Sequence, residues 1–358
     1  MIDDAQRSAL AELGDPALVA ARVASISREH VELRFDGVAD VVRGELAARF
    51  ARDDDPLARP TVGDLVAVRR DDAGAAVARV EALLPRRSVF VRAAAGRRAR
   101  PQLVAANVDR VLIVGAVGAE LSARRIERYI AAVLAGGAEA CVVINKCDRP
   151  HDAAALRAEL GMLAPGVPLV LTSAVDERCV SDLAPYVGEG VTLALVGSSG
   201  VGKSTLIRRL LGRGEAISTA AVREADDKGR HTTTRRTLYL AESGALIIDT
   251  PGMREIGLWD ADEGLEQAFA DIVALAESCH FRDCAHAGEP GCAIDGAVQA
   301  GHLPEARLAS YQRLQREIVA NARRAEEGGY RAKRAFKPIS RAIRARKRAH
   351  RKLGIDKD

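Results

Sequence analysis

Long apolar runs are missing from this sequence. The best candidates, Val111 to Val114 and Val191 to Val196, are far shorter than the roughly 18–20 residues that cross a bilayer, so no membrane partner is expected. Cysteine is scarce, 6 in 358 residues. That excludes a disulfide framework, and three of the six stand close together, which points to metal rather than cross-links. No basic stretch followed by an apolar segment lies near the acidic opening Met1-Ile2-Asp3-Asp4, so export is not indicated and a cytoplasmic location is expected. Acids are absent from Arg331 to Lys352, where eleven Lys or Arg stand. The formal net charge of the whole chain is only +4, so the remainder is net acidic and the positive charge is local. Such a tail is either a solvated arm or the contact to a polyanion. Its one aromatic, Phe336, makes base stacking a minor device, and sequence-independent, salt-sensitive phosphate contacts are expected instead.

What is present is ordinary for a folded protein: 48% hydrophobic and 28% charged residues, in a length that allows two or three domains. From Leu18 to Arg92 the pattern is of short strands, with alternation at Ala20 to Ile26 and Val31 to Phe35 and candidates at Val66 to Val68, Ala76 to Val80 and Val89 to Val91. Turn residues punctuate them. Five such strands fit an OB-fold-like β barrel or a small barrel of another topology. Six arginines without an acid between Arg86 and Arg100 read as a linker, solvated or touching nucleic acid. After Asn107 buried strands alternate with helices, implying a mainly parallel sheet covered on both faces. Beyond Glu263 the chain reads as helical, interrupted by a cysteine cluster, with a further helix from about Pro304 to Arg324. The expected domains are 1–95, 96–262 and 263–330, followed by the arm 331–358.

Gly197-Ser198-Ser199-Gly200-Val201-Gly202-Lys203-Ser204 matches G-x-x-x-x-G-K-[ST] between a strand and a helix. Its glycines turn successive backbone N–H groups toward a phosphate, and the helix N-terminus adds positive potential. Lys203 is expected on the β- and γ-phosphates and Ser204 on Mg²⁺, with Thr205 behind them. Asp249-Thr250-Pro251-Gly252 ends a second strand, placing Asp249 to hold Mg²⁺ and the Gly252 N–H to sense a γ-phosphate. Asn145-Lys146-Cys147-Asp148 ends a third. There a carboxylate can accept from guanine N1–H and N2, a donor pair adenine lacks. Thr172-Ser173-Ala174 would add backbone N–H, from Ser173 and Ala174, toward the base. Cys279, Cys284, His286 and Cys292 supply three thiolates and an imidazole, a donor set suited to closed, tetrahedral, structural Zn²⁺.

With the base-reading elements ahead of the phosphate loop rather than behind it, the chain resembles a circularly permuted TRAFAC-type GTPase. With Gly229-Arg230-His231-Thr232-Thr233 between that loop and Asp249, it is similar to the small-ribosomal-subunit biogenesis GTPases of the RsgA family. The likeness spans most of the chain, from the barrel to the cysteine cluster. It implies a cytoplasmic GTP hydrolase that acts late in maturation of the small (30S) subunit and is stimulated by that subunit and its rRNA. It carries the same four metal ligands onto the cysteine cluster. Ras-like enzymes place Gln after D-x-x-G to orient water. Met253 stands here, so the resemblance assigns that role to His231, with Thr232 or Thr233 as a further Mg²⁺ ligand. Met253 also leaves open a nucleotide-gated RNA-binding module with incidental hydrolysis. No DNA partner is expected, and the chain is expected to be monomeric.

Overall fold

The structure is a computed structural model that describes residues 2–27, 30–38, 40–52, 55–69, 77–94, 100–118, 121–163, 165–212, 236–250 and 256–327. The N-terminal helix α1 (Asp4–Glu12) opens on a capping box in which Asp3 and Gln6 satisfy each other's backbone N–H. Five strands follow: β1 (Leu18–Ile26), β2 (Val31–Arg34), β3 (Val42–Leu46), β4 (Leu65–Arg69) and β5 (Ala78–Leu83). They pair as β1-β2-β3-β5-β4, and β4 returns to β1 through five register pairs from Leu18↔Arg69 to Arg22↔Leu65. The sheet is therefore closed into a five-stranded barrel around Val23, Val31, Leu33, Val66, Val68 and Val80.

The barrel differs from the sequence expectation in one strand. Val89 to Val91 lies outside it, in β6 (Val89–Ala93), which forms a separate antiparallel pair with β7 (Pro101–Ala106). The fifth barrel strand is β3, which is mostly exposed and carries charge at Arg43 and Glu45, so it leaves no apolar alternation to read. The arginine-rich stretch also opens on a residue that is not a solvated linker arginine. Arg86 is buried, pairs with Asp64 through Nε at 2.7 Å and Nη2 at 2.8 Å, and donates to the carbonyls of Leu57 and Arg59. Each nitrogen of this guanidinium has an acceptor, which is what lets the charge be buried. Phe35, Phe50 and Phe90 are all core residues and offer no exposed ring for stacking on a base.

The second sheet reads β10-β9-β8-β11-β13-β12, with β8 (Arg110–Ala116), β9 (Glu139–Asn145), β10 (Leu169–Leu171), β11 (Thr192–Val196) and β13 (Leu246–Asp249) parallel and β12 (Thr237–Leu240) antiparallel at the edge. Helices α3 (Ala123–Ala135), α4 (Ala153–Gly161), α5 (Arg178–Leu183) and α6 (Lys203–Leu211) connect the strands; a short α2 (Ala48–Arg52) belongs to the barrel. The chain moves outward through β8, β9 and β10, then returns so that β11 lies on the other side of β8. That reversal is a topological switch point, where α/β sheets bind ligands at their strand C-termini. Among the described residues a single bridge, Ser25↔Thr237, joins the sheet to the barrel.

Beyond the sheet come helices Asp262–Ala268, Ala270–Ala276, Ala293–Gln299 and Glu305–Glu327. The last begins one residue after Pro304, whose carbonyl accepts from Arg307 and Leu308. Their apolar faces share one core with α3: Phe269, Ile272, Leu308 and Leu314 pack with Ile126, Ile130 and Val133. Polar contacts lock the same interface. Arg307 is buried, donates to Asp271 through Nε and Nη2 at 2.6 Å each, and lies 3.7 Å from Glu127 of α3. Glu127 also accepts from Ser310. Glu317 accepts from Arg128 at 2.7 Å and from the Leu258 N–H at 3.1 Å, while Asn321 donates to the Leu258 carbonyl at 2.8 Å. No helix among the described residues is long and apolar enough to cross a membrane.

Candidate functional site

The phosphate loop runs from the end of β11 into α6. Two of its glycines are required by geometry. Gly197 has φ 144° and a Cβ there would sit 2.1 Å from the Val114 carbonyl; Gly202 has φ 98° and a Cβ would sit 2.2 Å from Asn145 Nδ2. Neither the left-handed backbone nor the close approach admits a side chain. Gly202 is the N-cap of α6, so Lys203, Ser204 and Thr205 form the first helical turn. The Lys203 ammonium donates to the carbonyls of Gly197 at 2.9 Å and Ser198 at 2.7 Å, curled over the loop that a phosphate would occupy.

The two base-reading segments stand beside this loop, joined to it by Asn145. Its Nδ2 donates to the Val201 carbonyl at 2.8 Å, and its Oδ1 accepts from the Ala174 N–H at 2.8 Å. Asn145 is 2% exposed, so both bonds lie in a dry environment where leaving either partner unmatched is costly. Lys146 takes φ 64°, and its ammonium donates to the Gly200 carbonyl at 2.6 Å. Cys147 is tied inward, its N–H to Thr172 at 3.1 Å and its thiol to Ile144 at 3.3 Å. Asp148 points outward and accepts from the Ser173 hydroxyl at 2.5 Å. That bond holds its carboxyl below the usual carboxylate range, against a smaller opposing effect of burial. The acid is thus ionised and oriented at the mouth of the pocket, as an acceptor of two guanine donors must be.

Asp249 ends β13 directly beside β11, in register with Leu195. Burial pushes its carboxyl up, and the Lys203 charge opposes the shift. Among the described residues it has no hydrogen-bond donor and no ion pair. A half-buried carboxylate with its lone pairs unspent fits a divalent cation. Thr250 is turned away, its hydroxyl donating to the Leu195 carbonyl at 2.5 Å. Gly252, Met253, His231, Thr232 and Thr233, and the basic arm from Arg331, lie outside the described residues.

The cysteine cluster forms a second centre. A tetrahedral ion with M–S near 2.3 Å and M–N near 2.0–2.1 Å keeps its ligand atoms roughly 3.5–3.8 Å apart. His286 Nδ1 lies 3.6 Å from both Cys279 Sγ and Cys292 Sγ, and the donor atoms of Cys279, Cys284, His286 and Cys292 all lie within 4.8 Å of one another. The set fits a metal ion and is compatible with zinc. Residues outside the set hold its shape. Glu289 accepts from the N–H groups of Ala285 at 2.9 Å and Ala287 at 2.7 Å, Asp295 accepts from Gly288 at 2.8 Å, and Gln312 of the long helix donates to the His286 carbonyl at 3.1 Å.

Residues 83–259 match the model of the RsgA GTPase family. A small ribosomal subunit biogenesis GTPase RsgA of Methanosarcina acetivorans is 46% identical over 270 residues, 75% of this chain and 73% of the relative. The chain belongs to the RsgA GTPase family. It is accordingly a GTP hydrolase. The namesake protein of Streptomyces coelicolor is 42% identical over 319 residues, 88% of this chain and 84% of its own. The crystal structure of YjeQ from Thermotoga maritima aligns with a TM-score of 0.63 at 27% identity, covering 84% of this chain and 99% of that one. YloQ, a circularly permuted GTPase, aligns at 0.60 and 22% identity over 85% of this chain and 96% of its own, which supports the shared fold. The permuted sheet with barrel ahead and Cys/His cluster behind is therefore the RsgA architecture, as the motif order implies.

Sequence reasoning missed one contact at the RsgA site. Arg125, on α3, donates to the hydroxyl of Ser198 in the phosphate loop, across 73 residues of chain. An arginine on a helix surface carries no local signal of such a role.

Proposed function

We propose that this chain is a GTPase acting late in maturation of the small (30S) ribosomal subunit, bound to rRNA and stimulated by the subunit. The observation that carries the reading is Asn145, which ties base-reading loop, second base loop and phosphate loop into one pocket, in a chain whose relatives are named for this activity.

In this reading guanine is read by Asp148, with Lys146 and Cys147 shaping its loop and Ser173 and Ala174 completing the collar. Entry of the triphosphate draws the Lys203 ammonium off the carbonyls of Gly197 and Ser198 and onto the β- and γ-phosphates. The backbone N–H groups from Ser199 to Thr205 converge on the phosphates at the positive end of α6. Ser204 and Asp249 would hold Mg²⁺, with Thr232 or Thr233; the ion, when bound, neutralises charge developing on the transferred phosphoryl group. Gly252 senses the γ-phosphate, and His231 holds the attacking water in place of the Gln that Met253 displaces. Cys279, Cys284, His286 and Cys292 would hold one structural Zn²⁺, with no position open to water. The units are 1–95, 96–262, 263–330 and the arm 331–358, and the protein works in the cytoplasm.

The test is GTP turnover titrated with purified small subunits. A slow intrinsic rate should rise with subunit concentration, and His231→Ala should lower the stimulated rate while nucleotide affinity holds. A rate indifferent to subunits, with binding that still depends on nucleotide, would favour the gated RNA-binding module that Met253 suggests.

A further inference from the structure

Beside the phosphate loop, on the side facing α3, lies a cleft of about 750 Å³. Arg125 and Arg128 of α3 line it together with Lys146 and Arg149 of the base-reading loop, and among the described residues no acidic side chain does. Asp148, Ser173, Lys203 and Ser204 are not among its walls, so it adjoins the nucleotide pocket rather than coinciding with it, and shares with it Lys146 and the outer turn Ser198 to Val201. Ser199 and Gly200 at this turn are exposed, and the cleft opens to solvent there.

Three of the four charges form no ion pair among the described residues, although Lys146 and Arg149 lie in the field of Asp148. Arg128 is neutralised by Glu317 at 2.7 Å. Arg125 and Lys146 donate only to neutral acceptors, the Ser198 hydroxyl and the Gly200 carbonyl. The exposed Arg149 guanidinium has no hydrogen bond and no ion pair among the described residues. Cations gathered on one concave wall repel one another, and their field is focused on whatever anion enters. Nothing in the cleft plays the part that Asp148 plays for guanine, so recognition there is of phosphate rather than of a base.

We infer that this cleft is a second anion site, which receives backbone phosphates of RNA and reports their arrival to the phosphate loop. The inference rests on the small-subunit reading above. A phosphate taken by Arg125 competes with the Ser198 hydroxyl, and one taken by Lys146 competes with the Gly200 carbonyl. Both competitions loosen bonds to the loop that cradles GTP. RNA docking and nucleotide chemistry are thereby coupled through named hydrogen bonds.

The experiment compares the full chain with its Arg149→Glu and Arg149→Lys variants in GTP turnover titrated with small subunits at several salt concentrations. Arg149→Glu should raise the subunit concentration for half-maximal stimulation about tenfold and flatten the dependence of log affinity on log salt by about one, while Arg149→Lys stays within about threefold of the parent. Stimulation of Arg149→Glu at the parent's concentration and salt slope overturns the proposal. A parent that subunits do not stimulate overturns the small-subunit reading instead. The cleft is then judged with a single-stranded RNA oligomer, where equal binding by parent and Arg149→Glu overturns it and weaker binding by the variant supports it.

Discussion

Asn145 Nδ2 donates to the Val201 carbonyl at 2.8 Å, across 56 residues of chain and between two loops that read different ends of one nucleotide. The permutation moved Asn145 ahead of Val201 in the sequence and left this bond to hold the pocket together. Asn145→Ala orphans the Val201 carbonyl and the Ala174 N–H, each at a cost of about 1–3 kcal/mol. GTP affinity measured by calorimetry should fall at least about tenfold and the melting temperature should drop. Unchanged affinity would show that the loops keep their places without it.

Asp148→Asn replaces one of two acceptor oxygens with an NH₂ group that opposes the guanine 2-amino group, donor against donor. GTP affinity should fall by about 100-fold or more, and xanthosine triphosphate, whose C2 oxygen can accept from the new amide, should bind better than it does to the parent. Because the Ser173 hydroxyl holds the folded carboxyl below its usual range, the acid remains charged when pH falls through that range. The affinity of the parent for GTP should therefore be flat from about pH 5 to about pH 8. An affinity that fades as pH falls from about 8 to about 6 would contradict the assignment.

Arg307 faces two carboxylates from within the joint core, Asp271 at 2.6 Å and Glu127 at 3.7 Å. Arg307→Met leaves both without their cation and should destabilise the chain by about 3–5 kcal/mol, read as a fall in the denaturant midpoint. Glu127 adds a pH signature. Burial raises its carboxyl above the usual value, with Ser310 and Arg307 pulling the other way. The folded chain thus holds this proton to higher pH than the unfolded chain, and stability from this group declines as pH rises from the unfolded value through the folded one. Glu127→Gln should remove that part of the stability-versus-pH curve.

Chelation should unfold the metal-binding segment first. With Cys279, Cys284, His286 and Cys292 released, limited proteolysis is expected to cut between residues 278 and 293 while nucleotide binding persists. Cys284→Ser should reproduce the cut without chelator. Resistance to protease in both cases would mean that Glu289, Asp295 and Gln312 hold the loop unaided.

Much of the site was legible in the sequence because phosphate and metal chemistry require fixed local spacings. Gly197 to Ser204 and the four ligands from Cys279 to Cys292 each fall within one short stretch, and Asn145 to Asp148 and Asp249 each end an apolar strand that hydropathy picks out. The alternation of buried strands and helices from β8 to β11 gave the parallel sheet for the same reason. Strand β3 was hidden because an exposed barrel strand with charges at Arg43 and Glu45 has no face to advertise. The strand of Val89 to Val91 was visible, yet its partner β7 begins at a proline after an arginine-rich stretch. The pairs Arg86–Asp64, Arg125–Ser198 and Arg128–Glu317 were illegible, since 22, 73 and 189 residues separate their members. Polar pairing at such separations leaves no periodic trace.

The grip of Glu317 and Asn321 on the two sides of the Leu258 peptide has a mechanical corollary. The helix that supplies both side chains has 23 residues, a stiff rod about 35 Å long at 1.5 Å per residue, and its other half holds the metal-binding loop through Gln312. Tilting such a rod by about ten degrees about Glu317 moves its first residue, Glu305, about 18 Å away, through about 3 Å, so a turn set at the Leu258 peptide is carried along the helix past the cysteine cluster.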